Sequence, residues 1–194
     1  MGVSINVSFL LVAMLTLFSL YDKTGIAYSS ILSAAMHECG HLAAALFLRL
    51  KVGELSFMPF GIRLRLKQDL ALVKTGKKLT LLFAGSLVNF IAFGILALVN
   101  KSATFFALTS LVTGVFNLLP VSTLDGGRIL NELLSLKLAE NTAQNIADAI
   151  SLFVSFALFV LGAVAVAVTG YNVSLVITAI YLAVLVILRQ KKLK

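Results

Sequence analysis

The 194-residue chain is 60% hydrophobic and only 12% charged, a balance that excludes an ordinary soluble domain with a polar exterior. Its formal net charge of +8 does not by itself indicate nucleic-acid binding, because the meaning of a basic excess depends on where the charges fall. With one cysteine, Cys39, an intramolecular disulfide is excluded, and cysteine usage gives no redox compartment.

The hydrocarbon core of a bilayer is about 30 Å thick and a helix rises about 1.5 Å per residue, so apolar runs of about 18 residues or more with at most one charge are candidate spans. The first runs from Val3 to Leu20. It has no basic residue before its apolar stretch and no small-residue cleavage site, and it reads as a retained helix rather than a signal peptide. The second runs from Gly25 to Leu48. After it, Glu54 to Lys67 carries Leu55, Phe57 and Phe60 around Pro59 and Gly61, then alternates as Ile62-Arg63-Leu64-Arg65-Leu66-Lys67. Alternation of period two beside a proline-glycine break predicts a β-hairpin, here basic and at the membrane surface. Such a hairpin suits two roles equally, a lipid-contacting element or an edge that pairs with an extended substrate.

Four further spans are expected at Leu79 to Val99, Ser102 to Leu119, Ile146 to Thr169 and Tyr171 to Leu188. Together these elements predict an all-α polytopic membrane protein with six transmembrane helices and a short membrane-surface hairpin. No internal repeat or low-complexity tract divides it, so residues 1–194 read as a single membrane-embedded domain.

Six spans place Arg49, Lys51, Arg63, Arg65, Lys67, Lys74, Lys77 and Lys78 on one side. Arg128, Lys137, Arg189, Lys191, Lys192 and Lys194 join them, leaving only Lys23 and Lys101 opposite. The positive-inside rule then puts both termini in the cytoplasm and explains the basic excess without direct nucleic-acid binding.

His37-Glu38-Cys39-Gly40-His41 is an H-E-x-x-H sequence within the second span. In a helix, residues four apart lie one turn above each other, so both imidazoles can reach one metal. Zn2+ suits neutral nitrogen donors and keeps a position open. Glu38, beside the first ligand, is placed to take a proton from the water that attacks a carbonyl carbon. These are the only histidines in the chain, so chance is a poor account of their spacing. A purely structural polar cluster is also disfavoured, since ionisable groups at membrane depth are costly. Ala34, Ala35, Gly40, Ala43, Ala44 and Ala45 allow close helix approach.

A catalytic zinc usually has three protein ligands, and no third histidine exists. Cys39 lies about 200° around the helix from His37 and faces away. Asp22, Glu54 and Asp69 sit in polar connections that suit solvated charges. Asp125 follows an apolar helix in Asn117-Leu118-Leu119-Pro120-Val121-Ser122-Thr123-Leu124-Asp125-Gly126-Gly127-Arg128. Pro120, Gly126 and Gly127 predict that this stretch is unwound, with Asn117 able to hydrogen-bond it and Asp125 presented from it. On local sequence alone Asp125 is equally a turn residue before glycine. Arg128 reads as a topology anchor.

These residues resemble the site-2 protease family of intramembrane metalloproteases. The resemblance rests on His37, Glu38 and His41, on N-x-x-P-x-x-x-x-D-G at Asn117, Pro120, Asp125 and Gly126, and on Ala84-Gly85-Ser86-Leu87-Val88-Asn89 between them. It implies a three-helix catalytic core over about residues 25–128, with the helices of 146–188 accessory. It also implies that Asp125 is the third zinc ligand and that Asn89 orients substrate, while Gly85 and Asn89 by themselves are explained by helix packing. Within the family, Leu124-Asp125-Gly126-Gly127-Arg128 and Met58-Pro59-Phe60-Gly61 are most similar to the stage IV sporulation protein FB branch. That similarity implies a bacterial cell membrane and a membrane-associated substrate such as a sigma-factor precursor or anti-sigma factor, with a membrane regulatory partner.

Three departures from the family pattern stand out. Ser86 replaces a frequent proline, no nucleotide-sensing domain follows the helices, and no peptide-binding domain is inserted. The competing readings are a non-hydrolytic membrane zinc-binding or transport protein, which has little use for Glu38, and a scaffold, which would bind no zinc.

Overall fold

The structure, a computed structural model, describes residues 4–7, 22, 24–58, 61–66, 73–99, 104–170 and 173–193. Among the described residues there are six helices: α1 (Ile26–Phe47), α2 (Thr75–Val99), α3 (Thr104–Asn117), α4 (Asp125–Leu134), α5 (Glu140–Thr169) and α6 (Ser174–Leu193). Two compact units divide the chain, Met1–Phe116 and Asn117–Lys194.

The first unit is organised around α1. Its start is tied by Asp22, whose carboxylate accepts hydrogen bonds from the N–H groups of Thr24 (3.0 Å), Gly25 (3.0 Å), Ala27 (2.9 Å) and Tyr28 (3.3 Å), and from the Thr24 hydroxyl (2.7 Å). These include amide donors that the first helical turn leaves unsatisfied. Gly25, at φ 75°, makes the turn into the helix that a side chain would resist. At the far end Arg49 takes φ 55°, and Leu50 donates to the Ala45 carbonyl at 2.8 Å. This reversal brings Ala45, Leu50, Val73 and Leu81 into one buried cluster.

Small residues set how closely the helices pack. A methyl group on Gly40 of α1 would lie 2.6 Å from the Ala84 carbonyl oxygen of α2, and one on Gly114 of α3 would lie 2.7 Å from the Phe90 ring of α2. The Ser33 hydroxyl donates to the Thr109 carbonyl at 3.2 Å, joining α1 to α3.

Two extended segments lie between α1 and α2: β2 (Val52–Met58) and β3 (Gly61–Leu66), paired antiparallel with Leu55 opposite Leu64. The joining residues, Pro59 and Phe60, and the expected end of the alternation at Lys67 lie outside the described residues. Parallel to β2 runs β1 (Ser4–Val7), giving the order β1-β2-β3. Ser4–Val7 therefore departs from the expected helix of Val3 to Leu20. Ser-Ile-Asn-Val alternates polar and apolar residues and fits a strand. Positions 8–20 of that span lie outside the described residues.

In the second unit α5 and α6 pair lengthwise. A methyl group on Gly162 of α5 would come within 2.9 Å of Val176 of α6, and Gly170, at φ 69°, ends α5. Among the described residues, two helices are long and apolar enough to cross a membrane, Thr75–Val99 and Glu140–Thr169, and two shorter apolar helices are Phe105–Asn117 and Ser174–Gln190. Much of their apolar surface is open, including Leu98 and Phe153, as lipid-facing surface would be. The His-Glu-His sequence lowers the hydropathy of α1 and keeps it out of that class.

The Thr24 hydroxyl, seconded by the backbone donors, holds the Asp22 carboxyl below the ordinary carboxylate range. A depressed value in the folded state means that the contribution to stability is present above the unfolded-state value and is lost as pH falls through the folded one. Asp22→Ala is therefore expected to lower the thermal unfolding temperature in detergent at neutral pH, with the gap closing in acid. An equal gap at both pH values would contradict this role.

Candidate metal centre

The expected positions of the two histidines are realised on one face of α1. Their ring centroids are 4.7 Å apart with planes at 86°, and the two Nε2 atoms approach to 3.1 Å. His37 is buried and His41 partly so. His41 Nδ1 lies 2.7 Å from the Leu81 carbonyl oxygen. A carbonyl only accepts, so Nδ1 carries the proton and the Nε2 lone pair points toward His37. Two nitrogens bound to one tetrahedral zinc at about 2.0–2.1 Å each would lie about 3.3 Å apart. The observed separation suits one shared ion.

The backbone of α2 forms the wall beside them. A methyl group on Gly85 would fall 2.6 Å from His41 Nε2 and 2.7 Å from both Cε1 and Nε2 of His37. Absence of a side chain is what makes room for the nitrogens, and Gly40, packed on Ala84 and Gly85, brings the two helices to that distance. Asn89, one turn further along α2, is fully buried with no hydrogen-bond partner for its amide atoms among the described residues. Glu38 is half-buried next to His37, and Cys39 is exposed.

Within the second unit, Asn117 is the last residue of α3, and residues 118–124 are non-helical. Pro120 has no N–H to continue a helix. The turn closes through hydrogen bonds from Val121 N–H to Leu119 O (2.7 Å) and from Leu124 N–H to Val121 O (2.8 Å). Asp125 then opens α4 and is buried to 7% exposure. Here the sequence expectation needs correcting, because Gly126 and Gly127 are helical and lie after the unwound stretch. They are glycines for contact rather than for unusual angles: a methyl group on Gly126 would fall 2.1 Å from Leu118 O, and one on Gly127 2.1 Å from Val121 O.

The carboxylate of Asp125 sits at a helix N-terminus, where the macrodipole favours negative charge. Arg128, one turn on and largely exposed, reaches it only at 4.0 Å. Beneath this turn lie Asp148 and Ser151 of α5, both buried and both passed over in the sequence. The available signal was an aspartate, Asp148, near the start of the apolar run from Ile146 to Thr169.

His37 and His41 of the first unit and Asp125 of the second each offer a ligand atom of a kind that a metal ion takes. Two imidazoles and a carboxylate fit zinc with a fourth position open.

The chain superposes on the Site-2 Protease from Methanocaldococcus jannaschii with a TM-score of 0.67 and 23% sequence identity, over 94% of this chain and 88% of that one. The fold is that of a site-2 protease. The model of Peptidase family M50 matches residues 99–162, a stretch that includes Asn117, Pro120 and Asp125 and ends within α5. No curated protein matches the chain. The site-2 protease fold and the family match together support a membrane-embedded zinc metalloprotease.

Gly85→Ala is expected to displace both imidazoles and to leave the purified protein with well under one zinc per chain. Gly94→Ala, in open space on the same helix, should retain the wild-type zinc content. Full zinc occupancy in Gly85→Ala would show that the wall is not needed.

Proposed function

We propose that the protein is an intramembrane zinc metalloendopeptidase that hydrolyses a peptide bond in or near a transmembrane or membrane-associated segment of a protein substrate. The observation that carries this reading is the convergence of His37 Nε2 and His41 Nε2 to 3.1 Å, with His41 fixed in orientation from Leu81 and Glu38 adjacent.

In the proposed mechanism His37, His41 and Asp125 are the ligands. Zinc, when bound, supplies a Lewis acid that polarises the scissile carbonyl. Glu38 accepts the proton of the attacking water and returns it to the departing amine, which keeps the proton count balanced through the cycle. Helix α2 excludes bulk water from one side of the histidines through Gly85, while Asn117 and Pro120 shape the turn that presents Asp125. Glu38 is the group that a transport or storage site would not need.

The finer features of the reading are these. Six spans carry the catalytic machinery, with both termini in the cytoplasm and the two units working as one metalloprotease domain in a bacterial cell membrane. The substrate is a membrane-associated protein of the sigma-factor-precursor or anti-sigma-factor type, as in the sporulation branch, and a membrane partner regulates access. Pairing of β2 with both β1 and β3 leaves the outer edge of β3 without a strand partner among the described residues, which supports its use in holding an extended substrate segment.

Glu38→Gln removes the proton acceptor and no ligand. It should keep about one zinc per chain while cleavage falls about a hundred- to ten-thousand-fold. Asp125→Ala should lose both zinc and cleavage. Persistent cleavage of a membrane-protein substrate by purified Glu38→Gln would refute the mechanism. For the substrate edge, Ile62→Pro or Leu64→Pro is expected to lower cleavage with zinc content unchanged, and wild-type cleavage in both would remove β3 from substrate binding.

A further inference from the structure

We propose that Ser122 is a positioning residue for Asp125, clamped in place by Asp148 and Ser151 of α5 and by Arg189 of α6, so that the accessory helices set the geometry of the metal ligand. The proposal rests on the reading of Asp125 as a zinc ligand.

Ser122 lies three residues before Asp125 in the non-helical turn and is buried. All three of its polar groups are held from the accessory helices. Its N–H donates to Ser151 Oγ at 2.8 Å, its hydroxyl donates to Asp148 Oδ1 at 2.5 Å, and its carbonyl accepts from Arg189 Nη1 at 2.9 Å. The ring closes through Gln144, whose amide donates to Asp148 Oδ1 at 3.1 Å and whose oxygen accepts from Arg189 Nη2 at 3.1 Å. Ser151 is in turn fixed by its hydroxyl bond to the Ala147 carbonyl at 2.6 Å.

Two features make this a clamp on the turn rather than a simple tie between α5 and α6. First, the ring passes through Ser122, which bonds the carboxylate of Asp148 through its hydroxyl and the guanidinium of Arg189 through its carbonyl. A buried carboxylate and a half-buried guanidinium are costly unless their hydrogen bonds are completed, and Ser122 completes one bond of each. Displacing the turn therefore leaves both charged groups short of a partner. Second, movement of Ser122 is passed on with little slack. Leu124 N–H bonds the Val121 carbonyl and Arg128 N–H bonds the Leu124 carbonyl, while Gly126 and Gly127 seat the first turn of α4 directly on the carbonyls of Leu118, Leu119 and Val121. Asp125 is held within that first turn.

The test uses the full chain purified in detergent, with Ser122→Ala, Asp148→Leu and Asp148→Asn. Asparagine keeps an acceptor oxygen for Ser122 and Gln144, whereas leucine fills similar volume without one. Zinc affinity is measured by chelator competition, and ligand geometry by the visible absorption of the cobalt(II)-substituted protein. Hydrogen exchange of the Ser122 and Leu124 amides is followed in the metal-free state. Ser122→Ala and Asp148→Leu should weaken zinc about ten- to a hundred-fold, alter the cobalt spectrum and speed amide exchange, with Asp148→Asn close to wild type in all three. Wild-type affinity and cobalt spectrum in both disruptive variants would overturn the proposal, even if they unfold at lower temperature, because the ring would then only join helices. If the wild-type chain takes up no stoichiometric zinc or cobalt, the zinc reading itself fails. In that case unchanged amide exchange in Ser122→Ala and Asp148→Leu would separately overturn the clamp.

Discussion

The approach of the α2 backbone to the two imidazoles at Gly85 is the constraint on which the first unit depends. With His37 and His41 atoms 2.6–2.7 Å from the position of a methyl group on Gly85, the rings rest on main chain, which cannot change rotamer. The same helix supplies the Leu81 carbonyl that fixes the His41 proton, one turn before Gly85. Orientation and tautomer thus come from two points on one helix face. Gly40 sets the spacing of α1 from α2, and Ser33 and Gly114 bring in α3. The small residues of these helices matter for where they put backbone, since lipid provides no hydrophobic drive for helices to associate and leaves close packing and hydrogen bonds to do it.

The second unit meets a different demand. Residues 118–124 have left the helix, and their N–H and C=O groups need partners in apolar surroundings. Part of that need is met within the turn, by the bonds to Leu119, Val121 and Leu124. Ser122 has its own N–H and C=O met by side chains of α5 and α6. Helices that only anchored the chain in lipid would be served by apolar residues, yet α5 carries Asp148 and Ser151 at buried positions. Polar side chains there satisfy a turn that cannot satisfy itself.

What was legible in the sequence follows from period and from length. The four-residue spacing of His37 and His41 fixes a shared helix face whatever the surroundings, and apolar runs mark α1, α2, α3, α5 and α6 to within a few residues. Helix α4 was missed because its ten residues open on Asp-Gly-Gly, which reads as a turn. Glycine has two physical uses, unusual backbone angles and the absence of a side chain, and a sequence does not say which is in play. Among the described residues the glycines with positive φ are Gly25 and Gly170, while Gly85, Gly126 and Gly127 are there for contact. Asp148 and Ser122 are 26 residues apart along the chain, and no local periodicity joins a turn to the helix beneath it. Ser4–Val7 was absorbed into an apolar run whose alternation was too short to stand out.

Arg128 marks a last distinction between neighbouring charges. It reaches Asp125 at 4.0 Å with 59% of its side chain exposed, so water screens the pair and the attraction is small. Asp125 is itself nearly buried at the N-terminus of α4, an end of the helix where the macrodipole favours negative charge. Asp148, in the same unit, is a buried carboxylate whose Oδ1 accepts from Ser122 and Gln144. Two hydrogen bonds commit it to holding the turn, and that commitment, more than anything in its sequence context, marks it as a structural carboxylate.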